Sequence, residues 1–303
     1  MRVTLARRVR RPAAIYAGAM DLVRRPGPSV RVRVRELNDA GSHEREDRLA
    51  TEEPLEVRLA WPGHDAERVS VTMRTPGHDF ELATGLLHAE GVLVPHHLDQ
   101  VAYCTDVRLS PEEEFNVVTV TLDAPPPRLP AARPGTVTSV ASACGVCGAE
   151  SVADVVAMTE VRAQVATGVV VPRDVLAGLP ETLRSKQRVF DSTGGLHAAG
   201  LFDAAGDLLV LREDIGRHNA VDKVVGARIL GGQEPGTPVM CVSGRIGFEI
   251  VQKAVAAGVG LVAAIGAPSS LAVRLAEEAG LGLVGFLRRD RCVVYAGSER
   301  VGV

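Results

Sequence analysis

The chain has 303 residues, 46% hydrophobic and 3% aromatic, and a formal net charge of −3. That is enough apolar material for two domains or one large one, with Val, Leu, Ala and Ile filling the core. The charge excludes the basic balance of a nucleic-acid or anionic-membrane binder, and no apolar run approaches the roughly 20 residues of a membrane span.

Residues 1–36 are Arg-rich and include Pro26-Gly27-Pro28; they read as a flexible extension. The stretch Ala13-Ala14-Ile15-Tyr16-Ala17-Gly18-Ala19-Met20 is soon broken by Asp21, Arg24 and Arg25, so it does not read as a signal peptide. Residues 37–51 are polar and read as loop. Alternating Leu55, Val57 and Leu59 predict a half-buried strand, and 69–74 alternates in the same way. Leu82, Leu86 and Leu87 share one helical face over 78–91, which ends at Gly91. Two further strands are expected at 101–108 and 115–122, making 37–135 a small α+β domain. Its end is marked by Pro125, Pro126, Pro127, Pro130 and Pro134, which can continue neither ladder nor helix.

From 136 to 303 the pattern is α/β. A helix is expected after Cys147 and another near 173–186. Strands at 208–211, 238–242, 260–264, 283–287 and 292–295 follow, with helices at 218–230, 248–257 and 270–280 between them. Continuous apolar strands alternating with helices predict a mainly parallel sheet covered on both faces.

The densest chemistry lies in Ser142-Ala143-Cys144-Gly145-Val146-Cys147-Gly148, a lone C-x-x-C just before a predicted helix. A helix N-terminus stabilises a thiolate, and the glycines keep the turn open. Five cysteines, an odd number, suit a cytoplasmic chain with reduced thiols, where such a pair is more often catalytic or metal-binding than structural. Three readings stand at this point: zinc ligands completed by His197, a thioredoxin-like redox pair, or a nucleophile that carries sulfur as a persulfide. The zinc-deaminase pattern needs a Glu two residues after its His, and position 199 is Ala. Cys104, Cys241 and Cys292 sit in apolar strands and read as small core residues.

Ligands of open α/β sheets bind outside the carboxyl ends of the strands. There this chain places Arg212-Glu213-Asp214-Ile215-Gly216-Arg217-His218, Ser243-Gly244-Arg245-Ile246-Gly247 and Gly266-Ala267-Pro268-Ser269-Ser270, each opening a helix. Free N–H groups at those helix starts, with the guanidinium forks of Arg217 and Arg245, suit a phosphate-bearing ligand. The bland alternatives are an N-cap role for Ser269 or Ser270 and a surface ion-pair cluster of Glu213 and Asp214 with Arg212 and Arg217. His197, among small residues, reads either as a hydrogen-bonding core histidine or as part of the site.

Together, Glu52-Glu53-Pro54-Leu55-Glu56, Arg74-Thr75-Pro76-Gly77-His78-Asp79, the C-x-x-C loop, Thr193-Gly194-Gly195-Leu196-His197, the segment from Glu213 to Lys223, and Ser243-Gly244-Arg245 resemble the FdhD family. These are sulfur-carrier accessory proteins of formate dehydrogenase, and the resemblance runs in order from about residue 50 to the end. It implies sulfur taken as a persulfide from a cysteine desulfurase and passed to the molybdenum cofactor, a bis(molybdopterin guanine dinucleotide), for use by formate dehydrogenase. The chain would then be a sulfurtransferase-like persulfide carrier. The resemblance also implies a three-layer, cytidine-deaminase-like C-terminal domain with no metal held by protein ligands. It makes Cys144 the better match to the carrier, with Cys147 as second acceptor or resolving thiol, and assigns cofactor contact to Phe286-Leu287-Arg288-Arg289-Asp290-Arg291. Arg217, Arg245, Arg288 and Arg291 would hold the guanine dinucleotide arms, and His197 and His218 would supply a proton. Apolar strand edges suit a homodimer. A zinc-dependent deaminase-like hydrolase and a non-catalytic cofactor-binding chaperone are the rival readings. The Arg-rich extension before residue 37 is not explained by the resemblance.

Overall fold

The computed structural model describes residues 26–39, 41–105, 114–128 and 168–302. Cys144, Cys147, the helix expected after them and positions 106–108 of the strand expected over 101–108 lie outside these residues.

The described residues open with a long hairpin where the sequence suggests extension and loop. Strand β1, Ser29–Asn38, pairs antiparallel with β2, Gly41–Ala50, in unbroken register from Ser29↔Ala50 to Asn38↔Gly41. Val30, Val32 and Val34 alternate with Arg31, Arg33 and Arg35, the period of a strand that a high arginine count obscures. Arg45 pairs with Glu36 across the ribbon, and Thr51 N–H donates to Pro28 O at 3.0 Å to close its base.

A four-stranded sheet follows, in the order β4-β3-β6-β5. It comprises β3 (Glu53–Trp61), β4 (His64–Arg74), β5 (Leu98–Tyr103) and β6 (Val117–Leu122). β3 runs antiparallel to β4 and parallel to β6, and β5 runs antiparallel to β6. Leu55, Val57 and Leu59 bury one face completely, as their alternation predicts. Helix α1, Asp79–Ala89, lays Leu82, Leu86 and Leu87 on Val118 and Val120.

The larger sheet has the order β13-β12-β11-β10-β8-β9. Its strands are β8 (His197–Phe202), β9 (Leu208–Asp214), β10 (Val239–Val242), β11 (Leu261–Ala264), β12 (Gly282–Gly285) and β13 (Val293–Ala296). Only β10, β11 and β12 run parallel to one another; β8, β9 and β13 join antiparallel. The expectation of a mainly parallel sheet is therefore corrected. The reason lies in connection length: a turn over 203–207 joins β8 to β9, with Asp203 Oδ1 accepting from Ala205 and Asp207 N–H, and such a short link allows only an antiparallel neighbour.

Short β7 (Val171–Pro172) and β14 (Val301–Gly302) pair parallel beside this sheet. Helix α2, Arg173–Ser185, packs Leu176, Leu179 and Leu183 on the face carrying Phe202, Cys241 and Val284. A short helix α3, Arg188–Thr193, leads into β8. The opposite face is covered by α4 (Arg217–Leu230), α5 (Phe248–Ala257) and α6 (Ser270–Ala279).

The two sheets meet through α1 and α4, whose backbones touch. A Cβ on Gly85 would stand 1.9 Å from Asp222 O, and one on Gly226 would stand 1.9 Å from Glu81 O. Side chains would hold such helices 8–10 Å apart at the axes; the paired glycines remove that spacer. Beside them, Arg212 Nη2 donates to Glu81 Oε1 at 2.7 Å.

Candidate functional site

Parallel strands β10, β11 and β12 end on one edge of the sheet. Antiparallel pairing brings the start of β8 and the end of β9 to the same edge, because Val242 faces Ala199 and His197 faces Asp214. His197, the turn 215–218, the loop 243–247, the loop 265–269 and the segment 286–291 therefore lie along one rim, of which the sequence pattern suggests the three helix-opening turns.

The loops are tied rung by rung. Gly266 N–H donates to Gly244 O at 3.2 Å, Ile246 N–H to Ala267 O at 3.0 Å, and Phe286 N–H to Gly266 O at 3.1 Å. A side chain at Gly266 would meet Gly244 O at 2.7 Å, so the loops need that glycine for their spacing. Gly244 has a different role: a Cβ there would lie 3.3 Å from His197 Nδ1, and its absence leaves room beside the imidazole. The Ser243 hydroxyl accepts from Ala198 N–H at 2.9 Å and holds the first residue of this loop to β8.

Helices α4 and α5 start at Gly216 and Gly247, which provide no capping side chain. Their first N–H groups remain available to an anion. Helix α6 differs, because Ser269 Oγ accepts from Ala272 N–H at 3.2 Å; Ser269 is the plain N-cap that the bland reading suggests. Arg217, the first residue of α4, buries its Nε with no hydrogen-bond partner among the described residues. A buried guanidinium donor left open is costly unless an acceptor reaches it, so this atom fits an anionic ligand.

The base of the turn 215–218 is fixed from below. Asp214 is fully buried and pairs with Lys223 at 2.6 Å. It also accepts from Gly216 N–H at 2.8 Å and Asn219 Nδ2 at 3.0 Å. The smaller sheet completes the network: Thr75 N–H donates to Asp214 at 3.2 Å, Lys223 Nζ to Thr75 O at 2.9 Å, and Asn219 Nδ2 to Met73 O at 2.7 Å. Thr75 is held in turn by its neighbours, for Arg74 is fully buried and clamps Asp79 across the Thr75–His78 turn at 3.0 Å. Glu213 accepts from Val189 and Phe190 N–H at 3.0 and 2.7 Å, capping the helix that leads to His197. Glu213 and Asp214 are thus structural acceptors, which corrects the reading of a surface cluster with Arg212 and Arg217.

His197 is half-buried. Burial, then the charges of Arg217 and His218, push its pKa below the ordinary histidine range, against the opposing pull of Asp214. His218 is buried, and its Nε2 lies 2.6 Å from Glu249 Oε2 on α5. Burial would raise Glu249, but the contact with His218 and the charges of His218, Lys253 and Arg217 hold it below the usual carboxylate range. One helical turn deeper, Lys253 Nζ bonds both oxygens of Asp222 at 2.8 Å. Sequence reading does not single out Glu249; its signal is an acidic residue in the first turn of a helix that opens with a bare glycine.

Phe286 stands at φ +49, a left-handed conformation unusual for a bulky residue, and its ring lies at the surface with Arg291 5.9 Å from its centroid. Arg245, Arg289, Asp290 and Arg291 are exposed along the rim. Arg288 Nη1 donates to the carbonyls of Ile265 and Leu287, both at 2.8 Å, and so ties the segment to the β11 loop. Leu287 turns its side chain inward: at 1% exposure it packs with Leu176 and Val284. Among the other cysteines, Cys241 is core filler as expected, with burial pushing its thiol up to about 12. Cys104 and Cys292 are only half-buried, and Cys104 Sγ lies 3.7 Å from Arg58 Nη1.

These features define a mixed α/β protein whose larger sheet ends in an arginine-lined rim. The chain belongs to the FdhD/NarQ family, whose model matches residues 50–302. It is 45% identical over 277 residues to the sulfur carrier protein FdhD of Streptomyces coelicolor, covering 90% of this chain and 95% of that one. It is 46% identical over 275 residues to the protein of the same name from Nocardia farcinica, with the same coverage. Its fold matches the crystal structure of a protein described as a formate dehydrogenase accessory protein from Desulfotalea psychrophila. That match has a TM-score of 0.67 and 22% identity, covering 90% of this chain and 99% of that one.

Proposed function

We propose that this chain is a cytoplasmic sulfur carrier that serves formate dehydrogenase. The reading rests on its family membership and on one observation above the others: Arg217 leaves a buried Nε open at a helix start it shares with His218, near enough to His197 for its charge to act there. The ligand we assign to the rim is the guanine dinucleotide part of the molybdenum cofactor, which is the substrate to be sulfurated. Its phosphates would be met by Arg217, Arg245 and the first turns of α4 and α5, with Arg289 and Arg291 nearby. The resemblance to the family carries a cytidine-deaminase-like larger domain and a cysteine desulfurase as donor, while the element pattern and proline-rich linker support a smaller domain over 37–135 and apolar strand edges a homodimer.

In the loading step, the Cys144 thiolate attacks the outer sulfur of the desulfurase persulfide. The S–S bond of the donor breaks, a Cys144 persulfide forms, and the donor leaves as its thiolate. Cys147 serves as second acceptor. The test is intact-mass analysis of the full chain after incubation with cysteine and a desulfurase. A gain of one sulfur atom that thiols remove, and that Cys144→Ala abolishes, supports the reading. If Cys144→Ala and Cys147→Ala both left formate dehydrogenase fully active in cells, the chain would be a chaperone that holds the cofactor without carrying sulfur.

A further inference from the structure

The ribbon β1–β2 precedes the span matched by the family model, which begins at residue 50. It forms a sheet of its own. Directly opposed residues of an antiparallel pair share a face, so the register sorts its side chains into two sets. One face carries Val30, Val32 and Val34, with Leu49, Asp47 and Arg45 across the rungs. The other carries Arg31, Arg33 and Arg35, with Arg48, Glu46 and Glu44 across them. Val30 and Leu49 form one rung and are both 47% exposed. Neither they nor Val32 and Val34 join any hydrophobic core among the described residues. A two-stranded ribbon without a core is marginal in water, and a third strand that extends its apolar face stabilises it.

The outer edge of β1 is open to such a strand. Among the described strands β1 pairs with β2 alone, and one residue in two along it turns its N–H and C=O outward. Proline, a bulge or charge blunts most natural edges. Ser29–Asn38 contains no proline and its register is unbroken, so charge alone guards it. Glu46 and Glu44 stand opposite Arg33 and Arg35 in register, yet neither arginine has an ion pair among the described residues; Glu46 meets Arg31 instead, at 3.8 Å. Glu36 is held by Arg45. The exposed row of Arg31, Arg33 and Arg35 therefore selects by sign. Two copies paired edge to edge through β1 would set like charges side by side. Packed face to face, two ribbons would cover only about 340 Å² each (about 34 Å by about 10 Å), under half of the roughly 800 Å² per partner of a stable interface. A polyphosphate fits no better, because Asp39, Glu44, Glu46 and Asp47 interleave with the arginines of the ribbon.

We propose that the outer edge of β1 docks an extended segment of a partner protein in which acidic and apolar residues alternate. Added to β1, its apolar residues lie beside Val30, Val32 and Val34 and complete a three-stranded apolar face. Its carboxylates lie beside Arg31, Arg33 and Arg35. Main-chain hydrogen bonds supply the affinity and the alternation supplies the specificity. The base of the ribbon sets what this docking brings together. Ala50 Cβ lies 3.8 Å from where a Cβ on Gly195 would stand, and Gly195 is two residues before His197. A protein held on the ribbon is thus anchored beside the rim. The inference goes beyond the sulfur-carrier reading and does not depend on the ligand assigned to the rim.

The experiment is fluorescence anisotropy of labelled peptides titrated with the full chain at fixed ionic strength. The probe is a capped peptide, long enough to span β1, in which glutamate and valine alternate. A lysine–valine peptide and a scrambled peptide of the probe's composition are the controls. The probe should bind about tenfold more tightly than either, the effect of three cross-strand charge pairs. N-methylation at alternate residues removes the donors from one edge of the peptide; one methylated set should lose binding and the other should keep it. Arg33→Glu with Arg35→Glu should turn the preference toward the lysine–valine peptide, while Arg274→Glu, exposed on α6, should leave it unchanged. Should the double variant fail to fold, the methylated peptides decide the matter on the wild type. Equal binding of the scrambled peptide, or of both methylated sets, means charge attraction alone and overturns the proposal, and so does the absence of binding by any peptide. Self-association of the wild type that the double variant abolishes would make the edge an interface between copies, and this too overturns it.

Discussion

Replacing Gly226 by alanine sets two known effects against each other. In a helix interior alanine is favoured over glycine by about 1 kcal/mol. At Gly226, however, the added methyl would stand 1.9 Å from Glu81 O, 2.7 Å from its carbonyl carbon and 2.9 Å from Gly85 N. All three are backbone atoms inside α1, so none can swing aside. An ordinary contact would require the helices to part by about 1.5 Å, loosening apolar contacts packed to optimal separation. Overpacking of this kind costs typically about 1–3 kcal/mol. With the upper end of that range and the propensity gain subtracted, the expected loss is about 2 kcal/mol, or a fall in Tm of roughly 4–8 °C for a chain of this size. The assay is thermal unfolding followed by circular dichroism, with Gly178→Ala as the opposite control. Gly178 lies inside α2 with nothing within 4 Å of its would-be Cβ, so there alanine should raise Tm. If Gly226→Ala were as stabilising as Gly178→Ala, the helices would not cross at that glycine and the argument for their close approach would fail.

Lys223→Met leaves the buried Asp214 carboxylate without its cation and should cost about 3–5 kcal/mol in urea unfolding, more than the charge-free double variant with Asp214→Asn. His197 has its pKa lowered in the folded protein by burial and by Arg217 and His218. Its contribution to stability is therefore complete above the unfolded value of about 6.5 and is lost as pH falls through the lower folded value; His197→Asn should make the decline of Tm from pH 7 to pH 5 shallower. Cys241, its thiol pushed up to about 12 by burial, should stay unlabelled by iodoacetamide at pH 7.5 in the native protein and react only after unfolding, as read by peptide mass mapping.

The sequence is most legible where one face of an element is apolar and the other is not. The span 248–257 is read to both ends because Phe248, Ile250, Val251 and Val255 set the face and Gly247 and Gly258 bound it. Strand β8 escapes notice because His197-Ala198-Ala199-Gly200 lacks the branched residues of a strand. It lies mid-sheet, where a Cβ on Gly200 would strike Leu183 and Phe202 within 3 Å, so smallness is what packing demands there. Strand direction is equally hidden: buried strands look apolar whichever way they run. The rim positions of Arg217 and Arg245 follow from turns that open helices, whereas His197 reaches the rim only through the unread strand β8, and Glu249, Asp214 and Lys223 gain their roles only from partners distant in sequence. Of the hairpin, only β1 carries the Val-Arg alternation of a strand; β2, Gly41–Ala50, contains no valine and is polar along its length, so its pairing is hidden.

The seam joining the two sheets has a practical consequence for anyone dividing the molecule. A cut in the proline-rich stretch would strip Thr75 and Met73 of their partners Asp214, Lys223 and Asn219, and leave those three only the bonds they make within their own half. Each half would also present a bare glycine groove shaped only for the other. Fragments made this way should be insoluble apart yet reassemble when produced together, so a split version of the protein would report on proximity of whatever is fused to its halves.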